Sequence, residues 1–139
     1  MLASEQHVLF VFPGQGSQYR GMGSDLHQEY AAARRVYEQA SSVLGYDVAE
    51  LSFQDPEDQL NKTRFTQPAL LTHSIACLEV FRDLTDDRLK PAMAAGHSLG
   101  EYSALVAAGG LSFESALRLV QKRGELMGTH GEGEMTAFP

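Results

Sequence analysis

Gly96-His97-Ser98-Leu99-Gly100 carries the residue types for acyl chemistry at a spacing that serves it. A serine on a tight strand-to-helix turn has strained backbone angles, and side chains two residues to either side would collide, so glycines fit both places. The turn sends the hydroxyl away from the sheet and sets it at a helix N-terminus, where unpaired N–H groups and the macrodipole favour negative charge. The backbone N–H of Leu99 can then donate to an oxyanion. A capping serine in a glycine-rich turn is the plainer alternative. An apolar run before the serine and an amphipathic run after it favour the nucleophile.

A second candidate is Phe12-Pro13-Gly14-Gln15-Gly16-Ser17-Gln18, at the end of another apolar run. Ligands bind beyond the carboxyl ends of strands in open parallel sheets, so this turn and Ser98 are expected on one edge. The glycines permit close backbone approach, and Gln15 or Gln18 can donate hydrogen bonds, as an oxyanion hole requires; taken alone, a plain turn fits the stretch equally well. The stretch lacks the Gly-Lys-Ser/Thr ending of a phosphate loop and the full dinucleotide spacing.

These residues need elements to hold them. Residues 7–12 and 92–95 read as two strands buried on both faces. Leu26, Tyr30, Ala33, Tyr37, Ala40 and Leu44 keep one face of a single helix that starts near Ser24 or Asp25 and stops at Gly45. Residues 46–65 read as turns around a short helix. A second long helix covers residues 66–84, with Pro68 in its first turn and Leu71, Ser74, Ile75, Leu78 and Phe81 on one side. A third is expected from Ser98 to Gly109, and a last one, capped by Ser112, with Ala116, Leu117, Val120 and Met127 inward. Strands this far apart need crossovers, which makes the fold class α/β: a parallel sheet with flanking helices, short of strands for the sheet it starts.

Composition narrows the partners. The chain has 139 residues and a net charge of −7, which repels nucleic acid and anionic membranes. No apolar segment reaches the ~18 residues of a membrane span. One cysteine, Cys77, rules out an internal disulfide, and its apolar neighbours predict a buried thiol. With no secretory signal in the first residues, a cytoplasmic location is expected.

Four stretches in order, FPGQGSQYRGMG, LNKTRFTQPALL, AGHSLGEYSALVAAG and RLVQKRGELM, resemble the malonyl-CoA:acyl carrier protein transacylases, acyltransferases of fatty acid and polyketide synthesis. The resemblance runs from about Val8 to Met127. It implies an α/β-hydrolase-like core without a bound cofactor. Malonyl would pass from coenzyme A to Ser98 and on to the phosphopantetheine thiol of acyl carrier protein. Gln15 matches the side-chain oxyanion donor and Leu99 the backbone donor. Arg123 matches the arginine that grips the malonyl carboxylate, and Gln67, His97 and Met127 would line the pocket. Arg123 lies three residues after Val120 and four before Met127, on the inward stripe.

The resemblance also implies a base histidine beyond Pro139. His7, His27, His73, His97 and His130 offer no convincing partner for Ser98. Residues 1–130 correspond to the amino-terminal part of the large acyltransferase subdomain, and residues 131–139 to the start of a ferredoxin-like small subdomain with a strand near Met135. Pro139 is ill placed in a strand interior. The chain reads as the amino-terminal half of a larger enzyme, associating with the missing half or with itself. An α/β serine hydrolase and a catalytically incomplete fragment stay open as alternatives.

Overall fold

The computed structural model describes residues 8–131. The chain runs β1 (Leu9–Phe12), α1 (Ser24–Glu29), α2 (Ala31–Leu44), α3 (Val48–Phe53), α4 (Thr63–Leu84), β2 (Met93–Gly96), α5 (Gly100–Ala107) and α6 (Phe113–His130). The two strands pair in parallel, Leu9 opposite Met93 and Phe12 opposite Gly96. Their carboxyl ends are therefore adjacent, and the turns that follow them leave from the same edge. The expected 131–139 subdomain start lies, apart from Gly131, outside the described residues, as does His7.

Cohesion resides in the helices. α4 packs against α2 and α6 through the most extensive contacts in the molecule. Leu70, Leu71, Ile75 and Ala76 of α4, Ala33, Tyr37 and Ala40 of α2, and Leu117 and Val120 of α6 are all buried. Each large aliphatic side chain removed from water there contributes about 1.5–3 kcal/mol. α4 is buried nearly all round from Thr66 to Ala76, as a central helix must be.

Several expectations need correction. The single helix over residues 24–44 is two, broken where Tyr30 adopts an extended conformation at φ −117°. Arg34 is the physical reason: its Nη1 donates to the carbonyls of His27 (3.0 Å) and Gln28 (2.9 Å), groups a continuous helix would keep for itself. α4 starts at Thr63, not Thr66, so Pro68 is in the helix interior and removes one i→i−4 bond. The helix expected from Ser98 starts at Gly100, and the second strand covers Met93–Gly96 rather than residues 92–95.

The strands are not buried on both faces. Phe10 turns inward, edge-on to Phe81 of α4 at 5.5 Å between ring centroids. On the other face Leu9, Val11 and Met93 are 50%, 68% and 67% exposed. Both faces are apolar in sequence, but the described residues cover only one. Cys77 is likewise exposed rather than buried. It lines an apolar groove between β1 and α4, bounded by Val8, Phe10, Pro13, Leu78 and Phe81.

Candidate active site

Ser98 has a φ of +53°, the left-handed region that a serine enters only under constraint. The constraint is backbone packing. A Cβ on Gly96 would run into the carbonyl group of Gly100, and one on Gly100 into the carbonyls of Phe12 and Pro13. Both glycines thus let the strand, the turn and α5 approach closely. The turn is closed by Gly100 N–H to His97 O (2.9 Å) and Glu101 N–H to Ser98 O (3.2 Å). The N–H of Leu99 enters no backbone hydrogen bond among the described residues, while its side chain is buried beneath the turn.

Around Ser98 the structure gathers four of the other expected residues. Arg123 of α6 donates from Nη2 to Ser98 Oγ and from Nη1 to Gln67 Oε1, each at 2.9 Å. Gln67 of α4 donates from Nε2 to Gln15 Oε1 (3.4 Å) and to Met127 Sδ (3.3 Å). Gln15 donates onward to Thr63 Oγ1 at 3.2 Å. Ser98, Arg123, Gln67, Gln15 and Met127 thus form one connected set across four segments. His97 makes no hydrogen bond to this set among the described residues; its imidazole Nδ1 packs against Gly14, bracing the two site-bearing turns together.

No Asp or Glu among the described residues pairs with Arg123, which is half-buried. Its guanidinium carbon lies 5.8 Å from the ring centroid of Tyr102 of α5. A fixed, uncompensated guanidinium fork beside a hydroxyl is suited to an anionic group on a molecule bound at Ser98. No group of His, Cys, Asp or Glu among the described residues could hold a metal ion.

Neither His27, His73, His97 nor His130 hydrogen-bonds Ser98 Oγ. His27 stacks edge-on to Tyr37 and Phe53. His73 lies on α4 beside Cys77, and burial pushes its imidazole below the usual range, with the Asp25 carboxylate opposing.

Sequence reasoning passed over Thr63, Asn61 and Tyr102. Gln18 holds the N–H of Gly16 on its Oε1 (2.8 Å) and donates from Nε2 to Asn61 Oδ1 (3.0 Å). Asn61 and Thr63 thereby clamp the glycine-rich turn from 43 and 48 residues away. For Asn61 and Thr63 the one signal was a short polar run leading into a buried helix.

The parallel strand pair, the strained serine turn and the guanidinium beside it define an α/β acyltransferase core. The acyl transferase domain family matches residues 9–138, and this chain belongs to that family. Within it, the chain is similar to malonyl CoA-acyl carrier protein transacylases. It is 50% identical over 132 residues to the one from Escherichia coli, which covers 93% of this chain and 42% of the relative. It is 47% identical over 130 residues to the polyketide biosynthesis malonyl CoA-acyl carrier protein transacylase of Bacillus subtilis, covering 94% of this chain and 43% of the relative. The crystal structure of an acyl carrier protein S-malonyltransferase from Vibrio cholerae superposes with a TM-score of 0.84 at 48% identity, over 89% of this chain and 40% of that one. The chain spans about two fifths of the length of these relatives.

Proposed function

We propose that this chain carries the nucleophile and the acyl-binding part of a malonyl-CoA:acyl carrier protein transacylase site. The observation that carries the reading is the Arg123 fork, unpaired by any acid among the described residues and 2.9 Å from Ser98 Oγ. Ser98 Oγ attacks the thioester carbonyl carbon of malonyl-CoA and gives up its proton to a base. The tetrahedral oxyanion takes the N–H of Leu99 and an N–H of the Gln15 amide. One such donor is worth about 2.7–4 kcal/mol in the transition state. The C–S bond breaks, coenzyme A leaves as the protonated thiol, and malonyl stays on Ser98 as an ester. The phosphopantetheine thiol of acyl carrier protein then attacks the ester and Ser98 recovers its proton. With its Nη1 still on Gln67, Arg123 passes its Nη2 donor from Ser98 Oγ to the malonyl carboxylate, which sets malonyl apart from acetyl.

The base is an imidazole from polypeptide other than residues 8–131, docked on the exposed sheet. Residues 1–130 are the amino-terminal part of the large acyltransferase subdomain, and residues 131–139 begin the small ferredoxin-like one. The setting is cytoplasmic, and no helix among the described residues is long and apolar enough to cross a membrane. The bare faces of Leu9, Val11 and Met93 also favour a second reading, a chain that only folds and associates.

Labelled malonyl-CoA decides between them. The transacylase reading expects a base-labile ester on Ser98, absent from Ser98→Ala, and a shift of preference from malonyl toward acetyl in Arg123→Ala. No label on the native protein, supplied with its complementing chain where one exists, refutes it. Transfer of the label to water rather than to a thiol points instead to a hydrolase.

A further inference from the structure

We propose that Thr63 is a positioning residue for Gln15, the terminus of a hydrogen-bond relay whose direction is fixed by Arg123. The proposal rests on the reading of Gln15 as an oxyanion donor. A guanidinium has donors and no acceptor, so the atom of Gln67 that faces Arg123 must be Oε1. The Gln67 NH₂ group then faces the other way, and its two hydrogens go to Gln15 Oε1 and Met127 Sδ. Gln67 is completely buried, so water cannot replace either partner. Reversing its amide would set NH₂ against the guanidinium and oxygen against the Gln15 oxygen, two repulsive encounters in a low-dielectric site.

Gln15 inherits the direction. With Oε1 held by Gln67, its NH₂ group faces Thr63, whose Oγ1 accepts one hydrogen at 3.2 Å. The second hydrogen is left for a ligand. Gln15 is itself exposed, on a turn, and without Thr63 only the longer bond from Gln67 (3.4 Å) would hold its amide against water. Thr63 can hold it because Thr63 is itself fixed. It is the first residue of α4, and its carbonyl lies so near Gly124 of α6 that a Cβ there would be 2.8 Å away. The Gln18–Asn61 bridge fixes the same turn independently, leaving the Gln15 side chain as the degree of freedom that Thr63 removes.

The residue that recognises the carboxylate thus also sets which end of the Gln15 amide meets the oxyanion. Glu in place of Gln67 would still accept from Arg123 but could not donate to Gln15, and the relay would lose its direction.

The test uses the whole protein with its glutamine side chains labelled with ¹⁵N. Thr63→Val keeps shape and removes the acceptor, and Thr63→Ser returns it. In Thr63→Val the Gln15 side-chain amide signals should shift and their hydrogens exchange faster with water, and Thr63→Ser should restore both. Acylation of Ser98 by malonyl-CoA should fall about tenfold in rate, part of the 10²–10³ that outright loss of such a donor costs, with half-saturation changed less than about twofold. Thr63→Ser should recover the rate. Unchanged Gln15 signals in a folded Thr63→Val protein, or an equal fall in a Thr63→Ser protein, overturn the proposal. If the native protein forms no acyl-serine, the transacylase reading fails, and the amide signals alone still decide the relay.

Discussion

Gly124 offers a direct test of how α6 is held over the site. Its missing side chain lets α6 approach the first turn of α4, where a Cβ would lie 2.8 Å from Thr63 O and 2.9 Å from Arg64 Cα. An unstrained carbon contact needs about 3.5 Å, so Gly124→Ala demands a separation of roughly 0.6–0.7 Å between two backbones. Overpacking of this kind costs about 1–3 kcal/mol, while replacing a helical glycine by alanine returns about 0.8–1 kcal/mol. The net expectation is a loss of about 1 kcal/mol, or about 3 °C in Tm for a domain of this size. Gly128, one turn further along α6, has nothing within 4 Å of its would-be Cβ. Gly128→Ala should therefore stabilise by about 0.5–1 kcal/mol, somewhat reduced by fraying of the helix end. The two variants should differ by about 1.5–2 kcal/mol in urea unfolding with unchanged m-values. Equal stabilisation by both would refute the close approach, and with it the geometry that delivers Arg123 to Ser98.

Other expectations follow from single features. Ser98→Gly should be more stable than Ser98→Ala by about 0.5–1 kcal/mol, because a left-handed serine or alanine costs about 1–2 kcal/mol and glycine gives part of that back in unfolded-chain entropy; equal urea midpoints would remove the strain. Burial disfavours the charged form of His73, so the unfolded chain takes up its proton first. Stability should be complete above about pH 6.5 and fall below it, and His73→Leu should flatten that part of the profile; an unaltered acid slope would discharge His73. Sedimentation should show association rising with concentration through the faces of Leu9, Val11 and Met93, and Val11→Lys should weaken it; a native chain that stays monomeric throughout contradicts this.

Much of the architecture could be read from periodicity, because helix α2 and helix α6 each bury a stripe that local spacing defines. The readings that failed are those decided by partners distant in sequence or by cover. Nothing near Tyr30 announces a break, since it depends on Arg34 reaching back to two carbonyls. Pro68 matched a first turn, but the chain becomes helical at Thr63, where the extended Lys62 ends the preceding turns. Cys77 and the outer face of β1 have the neighbours of buried residues, yet none of the described residues covers them. At the site, the strain of Ser98 and the inward place of Arg123 follow from a five-residue pattern and a helical stripe. The contacts of Thr63 and Asn61 span more than forty residues and no local rule contains them.

The site is divided between supports of unequal strength. Gln67, Thr63, Arg123 and Met127 stand on α4 and α6, the most extensively packed helix pair, whereas Ser98 and Gln15 sit at the ends of a sheet that has two strands among the described residues. Local opening should part the strands at lower free energy than it parts the helices. Amide hydrogen exchange would then see the turns of Ser98 and Gln15 come and go against a standing guanidinium. A ligand that bridges Ser98 and Arg123 would act as a staple between the two bodies, slowing exchange along β1 and β2 well beyond the atoms it touches.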